Sequence, residues 1–288
     1  MSDKMNLSKE EFEQLRDFVK KECGIAVGDE KSYLIETRLS TLVIEAGCES
    51  FGEFYTTVTE GKRTGMRDKI IDAMTTNETL WYRDAGPWTI LQKSLLPRFC
   101  EQLQSGERNK IRIWSAASST GQEPYSVALT ILEYLKESGP PGVKEEMFEI
   151  HATDLSPSAL FVAISARYDG LSISRGLEPD LRDRYFEKSG RVYSLCDRVK
   201  SRVAFKQFNL IESFDSFGKF DLVLCRNVLI YFSADLKRDI VGRIGETLID
   251  NASFMVGASE SLQGCMTKFS MKQCEGQFFY QRKPRGTG

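Results

Sequence analysis

The sequence predicts an α/β protein in two parts, an all-helical N-terminal domain followed by a doubly wound domain with a parallel sheet. Three observations carry this expectation. Apolar residues over roughly the first 75 positions recur at helical spacing. After Thr75 short β-rich runs alternate with long amphipathic helices, the pattern of a sheet covered on both faces. With 288 residues, 41% of them apolar, the chain is long enough for two packed cores.

In chain order, Ser8-Lys9-Glu10-Glu11 has the capping-box spacing, and Phe12, Leu15, Phe18 and Val19 then share one helical face until Gly24 ends the helix. A second helix is expected from about Glu30 to Ala46, carried by Ile35, Leu39, Leu42 and Val43 and closed by Gly47. Ser50 and Glu53 repeat the capping box before Phe54 and Tyr55, and Met66, Ile70, Ile71 and Met74 mark a fourth helix. The expected division is a helical domain at 1–75, a linker at 76–90 that contributes to the site, and an α/β domain at 91–288. Its candidate strands are Ile111 to Ser115, Phe148 to Thr153, Val203 to Phe208, Phe220 to Cys225, Ser253 to Ala258 and Phe278 to Arg282. Between them, Val127, Ala128, Ile131, Leu132 and Leu135 share a helical face, as do Leu236, Ile240, Val241, Ile244 and Leu248. Gly190 to Phe205 is too polar for a core helix and reads as a small β-hairpin excursion, about 190–205, while Gly139-Pro140-Pro141-Gly142 reads as a tight surface loop.

Composition narrows the function. Lys plus Arg is 39 against 41 Asp plus Glu, a net charge of −2, which lacks the positive field that nucleic-acid backbones attract. No apolar run approaches the ~20 residues that cross a bilayer, and the polar start MSDKMNLSKEE has no secretory apolar region, so a soluble cytoplasmic protein without membrane insertion is expected. Seven scattered cysteines without a C-x-x-C pair, and one histidine, fit reduced thiols rather than a disulfide framework or a metal centre.

Ligands of open α/β sheets sit at the carboxyl ends of the strands. The first strand there runs into IWSAASSTGQEPYS, where small side chains at 115–119 would let a ligand approach the backbone and Glu123 opens a helix. An ordinary strand-to-helix turn would read the same way. G-x-G-x-x-G is absent, which counts against a nicotinamide dinucleotide. The second strand ends at Asp154, placed either to accept hydrogen bonds from ribose hydroxyls or to cap the helix that begins at Ser156-Pro157. His151 reads as a core residue rather than a catalyst. The fourth strand delivers Arg226 and Asn227 to the ligand edge, with Tyr231 one helical turn on. At the junction of the two domains, TTNETLWYRD brings Asn77, Thr79 and Arg83 beside Trp81 and Tyr82, either as a ligand cleft or as interdomain packing.

Four segments in this order, TTNETLWYRD, RIWSAASSTGQEPYSVALTI, ATDLSPSAL with ARYDG after it, and FNLIESF leading into FDLVLCRNVLIYF, together resemble the chemotaxis receptor glutamate O-methyltransferases, the CheR-type S-adenosylmethionine enzymes. The resemblance spans nearly the whole chain. It implies a class I methyltransferase domain, Rossmann-like, with a small β-subdomain inserted, behind the helical domain. By matching positions it implies that the cofactor, S-adenosylmethionine, and its product S-adenosylhomocysteine are held by Asn77, Thr79, Arg83, Ala117, Glu123, Asp154, Asn209, Leu210 and Asn227, with Arg226 nearby. Arg83 and Tyr231 would place the substrate carboxylate as the catalytic pair, no metal is implied, and the partners would be methyl-accepting chemotaxis receptors.

That chemistry suits a chain with one histidine, because a glutamate carboxylate, pKa about 4.3, is already a nucleophile at neutral pH. What remains is to bring its oxygen within about 3 to 3.5 Å of the methyl carbon and to exclude water. Three departures from the family pattern stand out. Leu248-Ile249-Asp250-Asn251-Ala252 replaces a Pro-Gly-Gly type turn. Residues 1–75 hold 11 Lys plus Arg against 15 Asp plus Glu, a net charge of −4, leaving Lys62, Arg63, Arg67 and Lys69 as the one basic patch for a receptor. The short hairpin predicts an enzyme that works without a receptor pentapeptide tether. Two rivals keep their place: a noncatalytic module that binds the cofactor, and a methyltransferase for another protein or a small molecule.

Overall fold

The computed structural model describes residues 6–285. Met1 to Met5, the opening of the expected helical domain, and residues 286–288 at the end of the second lie outside the described residues. Helix α1, Lys9–Cys23, starts on a complete capping box: the Ser8 hydroxyl accepts from the Glu11 amide and the Glu11 carboxylate accepts from the Ser8 amide. Gly24 stops it at φ 76°. The other Glu11 oxygen accepts the Gly52 amide at 2.8 Å and so ties α1 to α3, Phe51–Thr59, which follows α2, Ser32–Glu45. Helix α4, Met66–Met74, closes a core of Leu15, Val19, Ile35, Leu39, Phe51, Phe54 and Ile70. The second capping box forms by half. The Ser50 hydroxyl accepts from the Glu53 amide, but the Glu53 carboxylate turns to the Glu49 amide instead.

Helix α5, Ala85–Ile90, runs through a wide π turn at Leu91–Leu95 into α6, Leu96–Gln104, so the end of the expected linker is already helical. Leu96 donates to Leu91, five residues back, just before Pro97, which has no amide to give. The rest alternates as the pattern requires: β1 Ile111–Ala116, α7 Gln122–Ser138, β2 Phe148–Asp154, α8 Pro157–Ser165, β3 Arg167–Asp169, α9 Gly170–Ser174, α10 Pro179–Tyr185, β4 Phe186–Ser189, β5 Val192–Leu195, α11 Asp197–Lys200, β6 Val203–Gln207, β7 Phe220–Cys225, α12 Ala234–Thr247, β8 Leu248–Met255, β9 Phe269–Cys274 and β10 Gln277–Arg282. The main sheet has the order β6-β2-β1-β7-β8-β10-β9, parallel except for β10, which is antiparallel to both its neighbours. Strand order reverses between β1 and β7, the switch point where the carboxyl ends part and leave a crevice. Trp114 fills the sheet beneath it against Phe208, Phe214, Phe217 and Phe220. Among the described residues no helix is long and apolar enough to cross a membrane.

Three expectations need correction. The small antiparallel sheet is β3-β5-β4, whose hairpin spans Phe186 to Leu195 around a two-residue turn at Gly190 (φ 61°), not 190–205. Buried Phe186 and Leu195 anchor its strands, and residues 203–207 pair with β2 as an edge of the main sheet. Strand β8 begins at Leu248 directly after α12 rather than at Ser253, with Asn251 at φ 63° where the register to β7 shifts. Asparagine tolerates this left-handed conformation better than most residues, which is how the chain does without a glycine turn here. Strand β9 has no counterpart among the expected strands, because only Phe269 of Phe269 to Cys274 is buried and half of its residues are polar, as suits an edge.

Candidate active site

At the switch point lies a cleft whose empty space, counted together with its open mouth, is about 920 Å³. It is lined by all eleven residues singled out in the sequence: Asn77, Thr79, Arg83, Ala117, Glu123, Asp154, Asn209, Leu210, Arg226, Asn227 and Tyr231. They arrive from the carboxyl ends of β1, β2, β6 and β7 and from the segment joining the two domains. The helical domain supplies a wall through Cys23 and Ile25, which the sequence gave no reason to choose.

The turn after β1 is held open by backbone geometry. Ala117, Ser119 and Gly121 have φ of 59°, 50° and 93°. A side chain at Gly121 would put its Cβ 3.0 Å from that of Ala163, so glycine also permits α7 to close on α8. The Ser119 amide donates to Asp154 Oδ2 at 2.7 Å, its hydroxyl donates to the Asn77 carbonyl at 2.7 Å, and the Ser156 amide donates to Asp154 Oδ1 at 2.9 Å. Burial pushes the Asp154 carboxyl above its ordinary range, against the pull of these amides. The capping role belongs to the Ser156 hydroxyl, which accepts the Ala159 amide. Asp154 is therefore no helix cap. Ser118, also on the cleft wall, has a buried hydroxyl without a hydrogen-bond partner among the described residues.

Arg226 and Glu123 are committed to each other. Arg226, its side chain 1% exposed, donates to Glu123 Oε2 and to Asp84 Oδ2 at 2.8 Å each, and to the Arg83 carbonyl at 2.5 Å. Glu123 also accepts from the Ser115 hydroxyl at 2.7 Å. Both residues thus shape the wall and fix the segment that carries Arg83. On either side of Arg83, Tyr82 and Asp84 sit at φ 50° and 59°, a strained conformation sustained by these bonds and by Trp88, whose indole also donates to the Arg83 carbonyl. Among the described residues the Arg83 side chain makes a single hydrogen bond, to the Glu78 carbonyl, and so keeps donors for a ligand. At the rim, Arg175 holds the Glu78 carboxylate below its usual range through a 2.8 Å ion pair.

Tyr231 is anchored by its backbone. Its carbonyl accepts the Ala26 amide at 2.8 Å, and Phe232 bridges to Ile25, so the helical domain holds this loop in place. Among the described residues the Tyr231 hydroxyl makes no hydrogen bond. Asn209 donates from its side chain to the Glu22 carbonyl at 2.7 Å, a second tie between the domains. His151 stands outside the cleft, half-buried beside Arg112 and Glu149. The basic patch expected on the helical domain is largely neutralised: Lys62 pairs with Glu60, Arg67 with Glu22 and Lys69 with Glu45. Sequence spacing hid these pairs because two of them join different helices.

Comparison with known proteins agrees over nearly the whole chain. Residues 10–75 match the CheR methyltransferase all-alpha domain and residues 77–278 the CheR methyltransferase SAM binding domain. Among curated relatives, the chain is 42% identical to the chemotaxis protein methyltransferase Cher2 of Pseudomonas putida, covering 95% of this chain and 98% of that one. It is 42% identical to chemotaxis protein methyltransferase 1 of Pseudomonas aeruginosa, over 97% and 100% of the two chains, and 41% identical to chemotaxis protein methyltransferase 1 of Vibrio cholerae, over 97% and 99%.

Proposed function

Because the chain belongs to the CheR methyltransferase family, an S-adenosylmethionine-dependent enzyme of chemotaxis, we propose that it esterifies glutamate side chains on the cytoplasmic helices of chemotaxis receptors. The observation that carries this reading is the convergence on one cleft of a buried aspartate, an arginine with free donors and a tyrosine with a free hydroxyl. The lining suits the cofactor: Asp154 retains lone pairs for ribose hydroxyls, and the Ser118 hydroxyl, orphaned among the described residues, awaits a polar partner.

When bound, S-adenosylmethionine would supply a methyl group carried on a sulfonium, whose sulfur would keep the C–S electron pair as a carboxylate oxygen took the methyl carbon, so that methyl ester and S-adenosylhomocysteine would result without proton transfer. The chain's part is placement. Arg83 draws the incoming carboxylate by a charge-assisted bond, Tyr231 donates to its second oxygen, and Asp154 with Asn77 and Asn227 orients the cofactor. Orientation and exclusion of water supply the acceleration, so no general base is needed. The two-residue turn at Gly190 leaves little loop to seat a peptide, and the enzyme acts without a pentapeptide tether.

Incubating the protein with receptor-containing membranes and methyl-labelled S-adenosylmethionine tests this directly. Base-labile label on receptors is the expected result. Binding of the cofactor with no transfer, or label on other molecules only, would overturn it.

A further inference from the structure

The loop between β7 and α12 carries five cleft residues, Asn227 and Tyr231 among them, yet its only regular element is a single turn at Leu229–Tyr231. A side chain outside the cleft holds it. Glu260, 8% exposed, accepts the amides of Asn227 and Gly257 on Oε2 at 2.7 Å each and the Leu229 amide on Oε1 at 2.8 Å. Among the described residues no Lys or Arg pairs with it. A buried carboxylate without a counter-ion is costly, and mere packing here would be better served by an apolar side chain. The three amides it gathers include that of Asn227, held at φ 60°, a conformation that a non-glycine residue keeps only with support. Gly257 completes the clamp: a Cβ there would lie 2.7 Å from Asn227 Nδ2 and 2.9 Å from its backbone nitrogen.

We propose that Glu260 is a positioning residue for methyl transfer: from behind the cleft wall it fixes the loop so that Asn227 faces the cofactor and the Tyr231 hydroxyl faces the substrate carboxylate. This rests on the reading of the cleft as the S-adenosylmethionine site. The Ala26 amide secures the far end of the loop at Tyr231, so Glu260 governs the end nearest the cofactor.

The test compares Glu260→Gln, Glu260→Asp and Gly257→Ala with the parent. The readouts are S-adenosylhomocysteine affinity by calorimetry, amide exchange at residues 227, 229 and 257, and kcat with and without Tyr231→Phe. Gln replaces one acceptor with a donor aimed at an amide. We expect faster exchange at those amides, affinity down about tenfold and kcat down about a hundredfold, as for a misplaced reacting group. In that background Tyr231→Phe costs no further rate, because its hydroxyl is already misdirected. Asp, with both acceptors, recovers part of the loss. Gly257→Ala displaces Asn227 while leaving Glu260 intact, so it carries the test if Glu260→Gln does not fold. Ile35→Val, a core change in the helical domain, controls for lost stability and leaves kcat unchanged. If the parent binds and the variants bind within twofold of it, with Tyr231→Phe costing the same in every background, the proposal fails alone. A parent that binds neither S-adenosylmethionine nor its product overturns the proposal together with the cofactor reading.

Discussion

At Asp154 two demands oppose each other. The cofactor wants an ionised acceptor for its ribose, and the apolar surroundings want a neutral carboxyl, which is why burial raises its pKa. The sign follows: the fold favours the protonated form, so this contribution to stability is full at low pH and is lost as pH rises through the raised value. Affinity runs the other way. Calorimetry with S-adenosylhomocysteine is expected to show binding weaken as pH falls through that value, with the acid limb absent in Asp154→Asn. Tyr231 offers a cleaner residue-scale prediction, since its hydroxyl spends nothing on the fold. Tyr231→Phe should lower kcat about 10- to 100-fold, the worth of one hydrogen bond to a charged group, with cofactor affinity unchanged by calorimetry. The same contrast explains what the residues told in advance. Asp154, Arg83 and Tyr231 stand inside motifs whose residue types carry their chemistry. Glu260 lies 33 residues from the Asn227 amide it accepts, and nothing in its neighbours Ser259 and Ser261 signals that pairing.

Elements were legible where periodicity was strong. Strand β7 has its predicted ends because six consecutive buried residues leave no alternative, and α1 begins where a reciprocal cap fixes it. The small sheet escapes the sequence pattern because its strands are only three or four residues long, β4 is mostly exposed, and β3 pairs with a strand distant in sequence, so local pattern weakly specifies their register. The turn between β1 and α7 shows an element defined by sterics as much as by hydrophobicity. Gly121→Ala would force an alanine to φ 93° and press its Cβ on Ala163, at an expected cost of about 1–3 kcal/mol in urea unfolding. The same change should weaken cofactor binding, since the turn lines the cleft.

For the whole molecule, the decisive contact is between domains. Gly24 ends α1 at φ 76° with Ile211 and Leu236 each 2.8 Å from where a Cβ would stand. Gly24→Ala should therefore separate the helical domain from the sheet edge, lower the unfolding midpoint and reduce S-adenosylhomocysteine affinity together; an affinity equal to the parent's would show that the helical wall is dispensable. The amino-acid sequence by itself determined the two-part architecture, the strand ends that gather ligands and the residue types suited to methyl transfer, because hydrophobic period and motif chemistry are local properties. Which way those side chains are committed was decided by the tertiary structure. Arg226 is spent on Glu123 and Asp84, the basic patch is spent on neighbouring acids, Ile25 enters the site from the helical domain and Glu260 braces it from behind, since pairing of charges and burial of amides depend on distances that only the packed chain sets.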